Sequence, residues 1–238
     1  MTKSLTKIPI LEYRHVSKSY GPKVVLKDVS FTVPAGKIVG LLGQNGTGKT
    51  TIIKLANDLL TPTTGEVLVD GKPVGVESKQ DISYLPERTY LDKTMRVRDA
   101  IKQFSEFYND FNQNKADKLL KDLKLDPDTK IAKMSKGMQE KLQLALVMSR
   151  KAKLYILDEP LGGIDPATRD YILDTILTNF EAGSSMLIST HLISDVERIL
   201  DHVIMINDGE VIINSDADTL RTKEKKSIDE IFRNQFKS

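Results

Sequence analysis

A glycine-rich segment in the first quarter of the chain has the residue types needed to bind phosphate. Its residues are Gly43, Gln44, Asn45, Gly46, Thr47, Gly48, Lys49 and Thr50. They fit the pattern G-x-x-x-x-G-K-[ST] at every fixed position, between a strand predicted at Ile38 to Leu42 and a helix predicted at Thr50 to Leu59. Glycines let the backbone turn its N–H groups inward, and the start of the helix adds partial positive charge. We therefore expect a phosphate-binding loop here.

Two side chains of this loop have separate tasks in phosphate chemistry. Lys49 should reach the β- and γ-phosphates of a nucleoside triphosphate, and the Thr50 hydroxyl should bind Mg²⁺. We expect the whole segment from Gly43 through Thr51 to contact the nucleotide. The alternative is a glycine-rich turn with an incidental lysine, and the flanking strand and helix argue against it. Kinases, GTPases, helicases and transport ATPases share this loop, so it leaves the class of enzyme open.

Two adjacent acids end a second apolar strand. Asp158 and Glu159 follow the run from Leu154 to Leu157 and precede Pro160. Asp158 can hold Mg²⁺ or its water, while Glu159 can polarise the attacking water as a general base. The alternative is a pair of acids that caps a turn before proline. The phosphate-binding loop elsewhere in the chain favours the catalytic interpretation.

Strands that must position these groups alternate with helices along the chain. Further strands are predicted at Ile10 to Val16, Val29 to Val33, Met186 to Ser189 and Val203 to Ile206, with a hairpin between Thr61 and Val74. The late strands are apolar throughout, as in a parallel sheet covered on both faces. The pattern predicts an α/β fold whose mainly parallel sheet is flanked by helices.

Helical periodicity dominates the region from Thr94 to Lys151 and returns between Pro166 and about Phe180. The first region carries its apolar face at Ile101, Phe104, Phe107, Tyr108 and Phe111. The second carries its apolar face at Ile172, Leu173, Ile176, Leu177 and Phe180. Near the C-terminus, a charged run from Thr222 to Lys226 predicts a solvated tail, which ends in a small surface helix from Ile228 to Phe236.

Composition excludes several classes of protein. The 35 basic and 33 acidic residues leave a net charge of +2, so nucleic acid is not expected as a partner. The chain has no cysteine, which excludes disulfides and thiolate sites. Its apolar runs are far shorter than the roughly 20 residues that span a bilayer. The start of the chain lacks the apolar core of a secretory signal, so we expect a cytoplasmic protein.

A third segment narrows the class of enzyme. Met134-Ser135-Lys136-Gly137-Met138 stands shortly before the strand that ends at Asp158 and opens a helix. With this segment, the order of elements resembles the ATP-binding cassette (ABC) family over nearly the whole chain. Ser135 and Gly137 match the LSGGQ signature of that family, whereas Met134, Lys136 and Met138 depart from it, as in many drug and peptide exporters. Taken alone, Ser135 could simply cap an ordinary helix.

The resemblance implies roles for four more residues. Tyr20 matches the aromatic residue that stacks on adenine, although it could be a half-buried strand tyrosine. Asp165 falls in the D-loop and also suits the N-cap of the next helix. His191 matches the switch histidine that contacts the γ-phosphate, although a lone histidine at a strand end often has no such role. Glu87 stands where the family usually has a glutamine that binds Mg²⁺, so how closely it copies that contact is open.

The resemblance also implies an architecture and partners. It implies a P-loop core with an N-terminal antiparallel β subdomain over residues 1–93 and 152–220, a helical subdomain over 94–151 and a C-terminal tail over 221–238. ATP and Mg²⁺ would bind between two copies, or between this chain and a homologous subunit, and the signature of each would close the other's site. An integral membrane permease would hold the dimer on the cytoplasmic face of the membrane and export a drug, peptide or similar amphiphile. The alternatives are a soluble ABC ATPase that acts on ribosomes or DNA, and a regulatory module that binds ATP without hydrolysing it.

Overall fold

The structure is a computed structural model that describes residues 8–236. The strands of this range are β1 (Leu11–Tyr20), β2 (Lys23–Val33), β3 (Ile38–Leu42), β4 (Thr64–Val69), β5 (Lys72–Pro73), β6 (Ile82–Leu85), β7 (Leu154–Asp158), β8 (Ser185–Thr190), β9 (His202–Asn207) and β10 (Glu210–Asp216). The α-helices are α1 (Lys49–Ala56), α2 (Val76–Asp81), α3 (Val97–Phe107), α4 (Gln113–Asp122), α5 (Lys136–Met148), α6 (Pro166–Asn179), α7 (Ile193–Val196), α8 (Ala217–Glu224) and α9 (Ile228–Gln235).

The larger sheet has the strand order β10-β9-β3-β8-β7-β6. All neighbouring pairs in it are parallel except β9 with β10. The register pairs Leu42 with Thr190, and Asp158 with Ser189. The carboxyl ends of β3, β7 and β8 therefore meet at one edge, where the phosphate-binding loop, the paired acids and His191 follow. The expected mainly parallel sheet is confirmed.

Each of the central strands contributes to two hydrophobic cores. Side chains alternate along a strand, so neighbours such as Leu41 and Leu42 face opposite sides of the sheet. One core packs against α1 and the smaller sheet, and the Tyr13 hydroxyl of β1 donates a hydrogen bond of 2.6 Å to the Ile52 carbonyl of α1. The other core packs against α3 to α9. This double burial fixes β3 and α1, and with them the loop that joins them.

The smaller sheet is antiparallel and has the strand order β2-β1-β4-β5. It confirms the predicted N-terminal β structure, and β4 and β5 form the predicted hairpin, with Leu68 opposite Pro73. The strands β1 and β2 are longer than predicted, because their outer halves carry polar residues that the apolar pattern did not include.

The helical region between β6 and β7 contains α3, α4 and α5. Ile101 and Phe104 of the predicted apolar face are buried on α3, but Phe107, which the spacing places on the same face, is 74% exposed. It lies in the last turn of α3, beyond the packed core, and borders a groove. Phe111 lies outside the helix and packs against Phe104, with ring centroids 6.0 Å apart.

The C-terminal part of the described chain is more ordered than predicted. The charged run from Thr222 to Lys226 is exposed, as predicted, although α8 extends into it as far as Glu224. The predicted helix is confirmed as α9, which buries Ile228 and Ile231 against the core. Ser227 caps α9 and accepts a hydrogen bond from the Glu230 backbone N–H. Within residues 8–236, no helix has the length and apolar character needed to cross a bilayer.

Candidate functional site

The loop between β3 and α1 has a backbone that only glycine tolerates at its key points. Gly48 has a φ of 111°, and a Cβ there would lie 2.7 Å from Leu26 Cδ2. Gly46 has a φ of 84°. A side chain at Gly48 would therefore be strained and would also collide with β2. Gly48 is one fixed glycine of the motif, and Gly43 is the other, where a Cβ would lie 2.7 Å from the Ile206 carbonyl oxygen. Gly46 falls at a variable position of the motif.

Lys49 begins α1 and has a side chain that is only 6% exposed. Its Nζ donates hydrogen bonds to the carbonyl oxygens of Gly43 at 2.7 Å and Gln44 at 3.1 Å. It also lies 3.7 Å from Glu159 Oε1. Burial lowers the pKa of Lys49, and the negative charge of Glu159 opposes that shift. The ammonium group is thus held at the mouth of the loop by acceptors that a phosphate oxygen can replace.

The paired acids stand at the carboxyl end of β7 and border one small pocket together. Asp158 is 1% exposed, and its Oδ1 accepts a hydrogen bond from the Ser189 hydroxyl. Burial raises the pKa of Asp158, while the hydrogen bond from Ser189 lowers it. Glu159 has a φ of 51°, a left-handed conformation that is unusual for a residue other than glycine. The Glu159 side chain contacts Lys49 and His191, whereas that of Asp158 contacts Ser189.

Glu159 contacts two groups that can act on phosphate. Its Oε2 lies 3.0 Å from His191 Nδ1, and its other oxygen faces Lys49. The Glu159 side chain is 10% exposed, and the His191 side chain is 42% exposed. A carboxylate in this position can accept a proton from a water molecule in the cleft, because Glu159 lines that cleft.

The environment of Asp158 is suited to Mg²⁺. Its Oδ2 is buried and has no hydrogen-bond partner among the described residues. The Thr50 side chain is near enough to Asp158 to lower the pKa of that carboxyl, so the hydroxyl and the carboxylate can share one ion. Residues 8–236 contain no group of three His, Asp or Glu side chains that could hold a metal unaided. Mg²⁺ often binds through one or two protein oxygens together with phosphate oxygens and water, so these residues fit it.

A cavity of about 920 Å³ opens over the loop. The predicted site residues that line it are Asn45, Gly46, Gly48, Lys49, Thr50, Thr51, Glu87, Glu159 and His191. Those that do not line it are Tyr20, Gly43, Gln44, Thr47, Ser135, Gly137, Asp158 and Asp165. Gly43 and Gln44 still take part, since their carbonyls bind Lys49. The structure therefore brings the loop, the candidate base Glu159 and His191 together. Ser135 and Gly137, the two residues that match the signature, lie outside the cavity.

The remaining predicted residues have local roles that the structure shows. Ser135 caps α5 and accepts a hydrogen bond of 3.2 Å from the Met138 backbone N–H. Asp165 caps α6 and accepts one of 3.1 Å from the Ala167 N–H. Tyr20 ends β1 and is 46% exposed, with Lys18 Nζ 5.3 Å from its ring centroid. Tyr20 is thus a partly exposed strand residue, as the alternative described it, and its ring is also accessible for stacking.

Two charged residues that no motif marks also line the cavity. Arg88 follows Glu87, and Glu140 lies one turn after Lys136 on α5. Spacing along a helix could have paired Lys136 with Glu140, but only the fold shows that this pair faces the loop. Lys136, noted in the sequence as a departure from the signature, is therefore a cavity residue, whereas its matching neighbours Ser135 and Gly137 are not.

Comparisons with known proteins agree with this geometry. A family model described as "ABC transporter" matches residues 26–162. The chain is 33% identical over 211 residues to the Nod factor export ATP-binding protein I of Burkholderia lata. The aligned region covers 85% of this chain and 69% of the relative. It is 28% identical over 229 residues to the lantibiotic transport ATP-binding protein SrtF of Streptococcus pyogenes. That aligned region covers 95% of this chain and 97% of the relative.

A solved structure has the same fold. It is the ATP-binding subunit of an ABC transporter, with a TM-score of 0.86 and 28% identity over 96% of this chain and 100% of the other. That likeness, the family match and the loop that holds Lys49 agree with one another. The chain therefore belongs to the ABC transporter family, as an ATP-binding domain with a P-loop fold and ATPase activity.

Proposed function

We propose that this chain is the ATPase subunit of an exporter and that two copies, or one copy and a homologous subunit, hydrolyse ATP to drive a separate membrane permease. The observation that carries the proposal is the buried Glu159 carboxylate, placed between Lys49 and His191 at the mouth of the phosphate-binding loop. A cation, a base and a second hydrogen-bonding group at one phosphate-binding loop are the groups that phosphoryl transfer requires.

In this proposal each side chain has one task in hydrolysis. Glu159 orients a water molecule and accepts its proton as the water oxygen attacks the γ-phosphorus. The bond from that phosphorus to the bridging oxygen of ADP breaks, and phosphate leaves. Lys49 and the loop N–H groups bind the β- and γ-phosphates, and His191 contacts the γ-phosphate. Mg²⁺, held by Thr50, Asp158 and Glu87, would offset phosphate charge.

A second subunit completes the site in this proposal. Ser135 and Gly137 lie at the start of a capped helix, where N–H groups are available to an anion, yet they do not line the cavity of their own chain. This position supports a role for them, and for Asp165, at the nucleotide of the other subunit. Tyr20, exposed at the end of β1, would stack on adenine.

The permease partner is supported by a groove beside the helical region. We propose that residues 94–151 form a helical subdomain on a core of residues 1–93 and 152–220, followed by a C-terminal segment over 221–238. The groove has a volume of about 770 Å³ and is bordered by the exposed aromatic residues Tyr90 and Phe107. Lys54, Lys79 and Arg88 also line it, so it suits an amphipathic permease segment with an acidic residue. The permease would hold the dimer at the cytoplasmic face of the membrane, and the relatives' names support export as the direction.

Replacement of the general base tests the catalytic part of the proposal. We expect Glu159→Gln to reduce ATP turnover at least about a hundredfold and to leave ATP-bound dimers detectable by size exclusion with light scattering. Glu106→Gln, at an exposed glutamate of α3, is the control and should hydrolyse ATP normally. Turnover in Glu159→Gln equal to that of the control would remove Glu159 as the base.

Membrane attachment tests the partner. We expect the chain to co-purify with a permease from membranes, and Phe107→Ala to weaken that association without changing the ATPase activity of the isolated subunit. Phe107 suits this test because its side chain is 74% exposed and does not line the ATP cavity. Equal recovery of the permease with both proteins would show that this groove is not the docking site.

A further inference from the structure

A small pocket lies beside the nucleotide cavity, between the middle of α5 and the ends of β6 and β7. Glu140 and Glu159 border both the pocket and the cavity. The pocket has a volume of about 20 Å³. A single water molecule needs roughly 10–15 Å³ of such space. The pocket therefore has room for one water and little else.

Three residues that border this pocket each have a buried polar atom that no protein atom satisfies. The atoms are Asp158 Oδ2, Glu140 Oε2 and Gln143 Nε2, and none has a hydrogen-bond partner within residues 8–236. They are all the unpartnered buried side-chain atoms in the described part of the chain, and they meet at one pocket. Gln143 is 2% exposed and Asp158 is 1% exposed, so bulk solvent does not reach them. Buried polar groups without a protein partner are usually bonded to an ordered water.

The chemistry of the three atoms identifies what the pocket holds. The Gln143 amide N–H donates hydrogen bonds, whereas the carboxylate oxygens of Asp158 and Glu140 accept them. A water molecule has two O–H donors and an oxygen that accepts, and a buried water typically makes about three hydrogen bonds. The amide donor would oppose a cation, and no three His, Asp or Glu side chains of residues 8–236 are grouped to hold a metal. One donor and two acceptors therefore fit a water.

We propose that this pocket binds one ordered water, which accepts a hydrogen bond from Gln143 Nε2 and donates to Asp158 Oδ2 and Glu140 Oε2. Gln143 is then a positioning residue, because it holds the water that orients the Asp158 carboxylate. A carboxylate oxygen can accept more than one contact, so Oδ2 stays available to Mg²⁺ or its water. Groups that orient a metal ligand change metal affinity without touching the metal. This inference rests on the proposed function, in which Asp158 holds Mg²⁺.

A crystal structure of the nucleotide-free protein, at a resolution that shows ordered waters, tests the bound water directly. We expect one density peak in the pocket, roughly 2.7–3.2 Å from Gln143 Nε2, Asp158 Oδ2 and Glu140 Oε2. A pocket without a peak, or a peak that does not contact Gln143, would overturn the inference. This result is independent of ATPase activity, so it separates failure of the water site from failure of the proposed function.

Gln143→Met tests the positioning role, because methionine has a similar length and lacks the N–H donor. In a Glu159→Gln background, which separates binding from hydrolysis, ATP is titrated by calorimetry with Mg²⁺ and again with EDTA. We expect Gln143→Met to weaken the binding of ATP with Mg²⁺ about tenfold and to leave binding in EDTA unchanged. Gln103→Met, at an exposed glutamine of α3, is the matched control and should change neither titration.

The pair of titrations distinguishes positioning from a general loss of structure. A general loss would weaken ATP binding in EDTA as well, and equal losses under both conditions would overturn the positioning role. A response of Gln143→Met equal to that of Gln103→Met would do the same. If Mg²⁺ does not strengthen ATP binding to the parent Glu159→Gln protein, the role proposed for Asp158 fails, and the positioning role of Gln143 fails with it.

Discussion

Arg150 offers a strong test of how the helical region is attached to the sheet. Its guanidinium group pairs with both carboxylate oxygens of Asp110, at 3.0 and 3.1 Å. It also donates to the carbonyl oxygens of Gln80 and Ile82. The group stacks 3.8 Å from the ring centroid of Tyr108. Arg150 follows α5, so these contacts join the helical region, at Tyr108 and Asp110, to α2 and to strand β6 of the larger sheet.

Replacement of Arg150 by methionine should destabilise the protein by about 3 kcal/mol. Removing one partner of a buried ion pair costs roughly 3–5 kcal/mol, because the other charge is left unpaired. Arg150 is 3% exposed, but the Asp110 side chain is 26% exposed, which places the expected loss at the lower end of that range. For a domain of this size, each kcal/mol lowers Tm by about 2–4 °C. We therefore expect Tm to fall by about 6–12 °C.

Urea and thermal unfolding followed by circular dichroism measure this loss. Arg98→Met is the matched control, because Arg98 pairs with Asp128 at the surface, where the two side chains are 58% and 64% exposed. An exposed pair contributes about 1 kcal/mol or less. If Arg150→Met unfolds within about 1 kcal/mol of the wild type, or together with Arg98→Met, the attribution of the attachment to Arg150 is wrong.

Three other substitutions give separate readouts. Glu87→Gln should raise the Mg²⁺ concentration needed for half-maximal ATPase activity, since an amide binds Mg²⁺ less well than a carboxylate; an unchanged Mg²⁺ titration would show that the charge is immaterial. Tyr20→Ala should raise the KM for ATP about fivefold and Tyr20→Phe should not, because the expected contact is stacking. Glu140→Gln should flatten the pH dependence of stability in the absence of nucleotide. The pKa of Glu140 is raised above its ordinary 4.5 in the folded protein, so its contribution to stability is present below pH 4.5 and is lost as pH rises through the raised value.

Features encoded by contiguous residues were the ones that the sequence predicted well. The strand, loop and helix around Lys49 follow one another directly, and the glycines at positions 46 and 48 adopt the positive φ values that such a loop requires. The acids after Leu157 were equally clear, because a fully apolar strand ends at them. Parallel pairing then placed both segments at one edge of the sheet.

Features that depend on tertiary packing were not predictable in the same way. The edge strand β10 has no fully buried residue, so it lacks the apolar pattern that marked the inner strands. Phe107 has the helical spacing of a core residue, but it lies at the end of α3 where no other element of residues 8–236 covers its side chain. Spacing along the sequence does not show where that cover ends. The contact of Lys136 and Glu140 with Gly163 joins segments from two parts of the chain, and no local rule anticipates it.

The contacts of Lys49 connect binding to the choice of base. An ammonium group has three N–H donors, and Lys49 has acceptors for them in the carbonyls of Gly43 and Gln44 and in the Glu159 carboxylate. Phosphate oxygens that bind Lys49 must take the place of some of these acceptors. Replacement of the Glu159 contact removes a positive charge from that carboxylate and leaves it hydrogen-bonded to His191. Lys49 therefore connects the two halves of the site, because the cation that would bind phosphate is also the cation beside the candidate base.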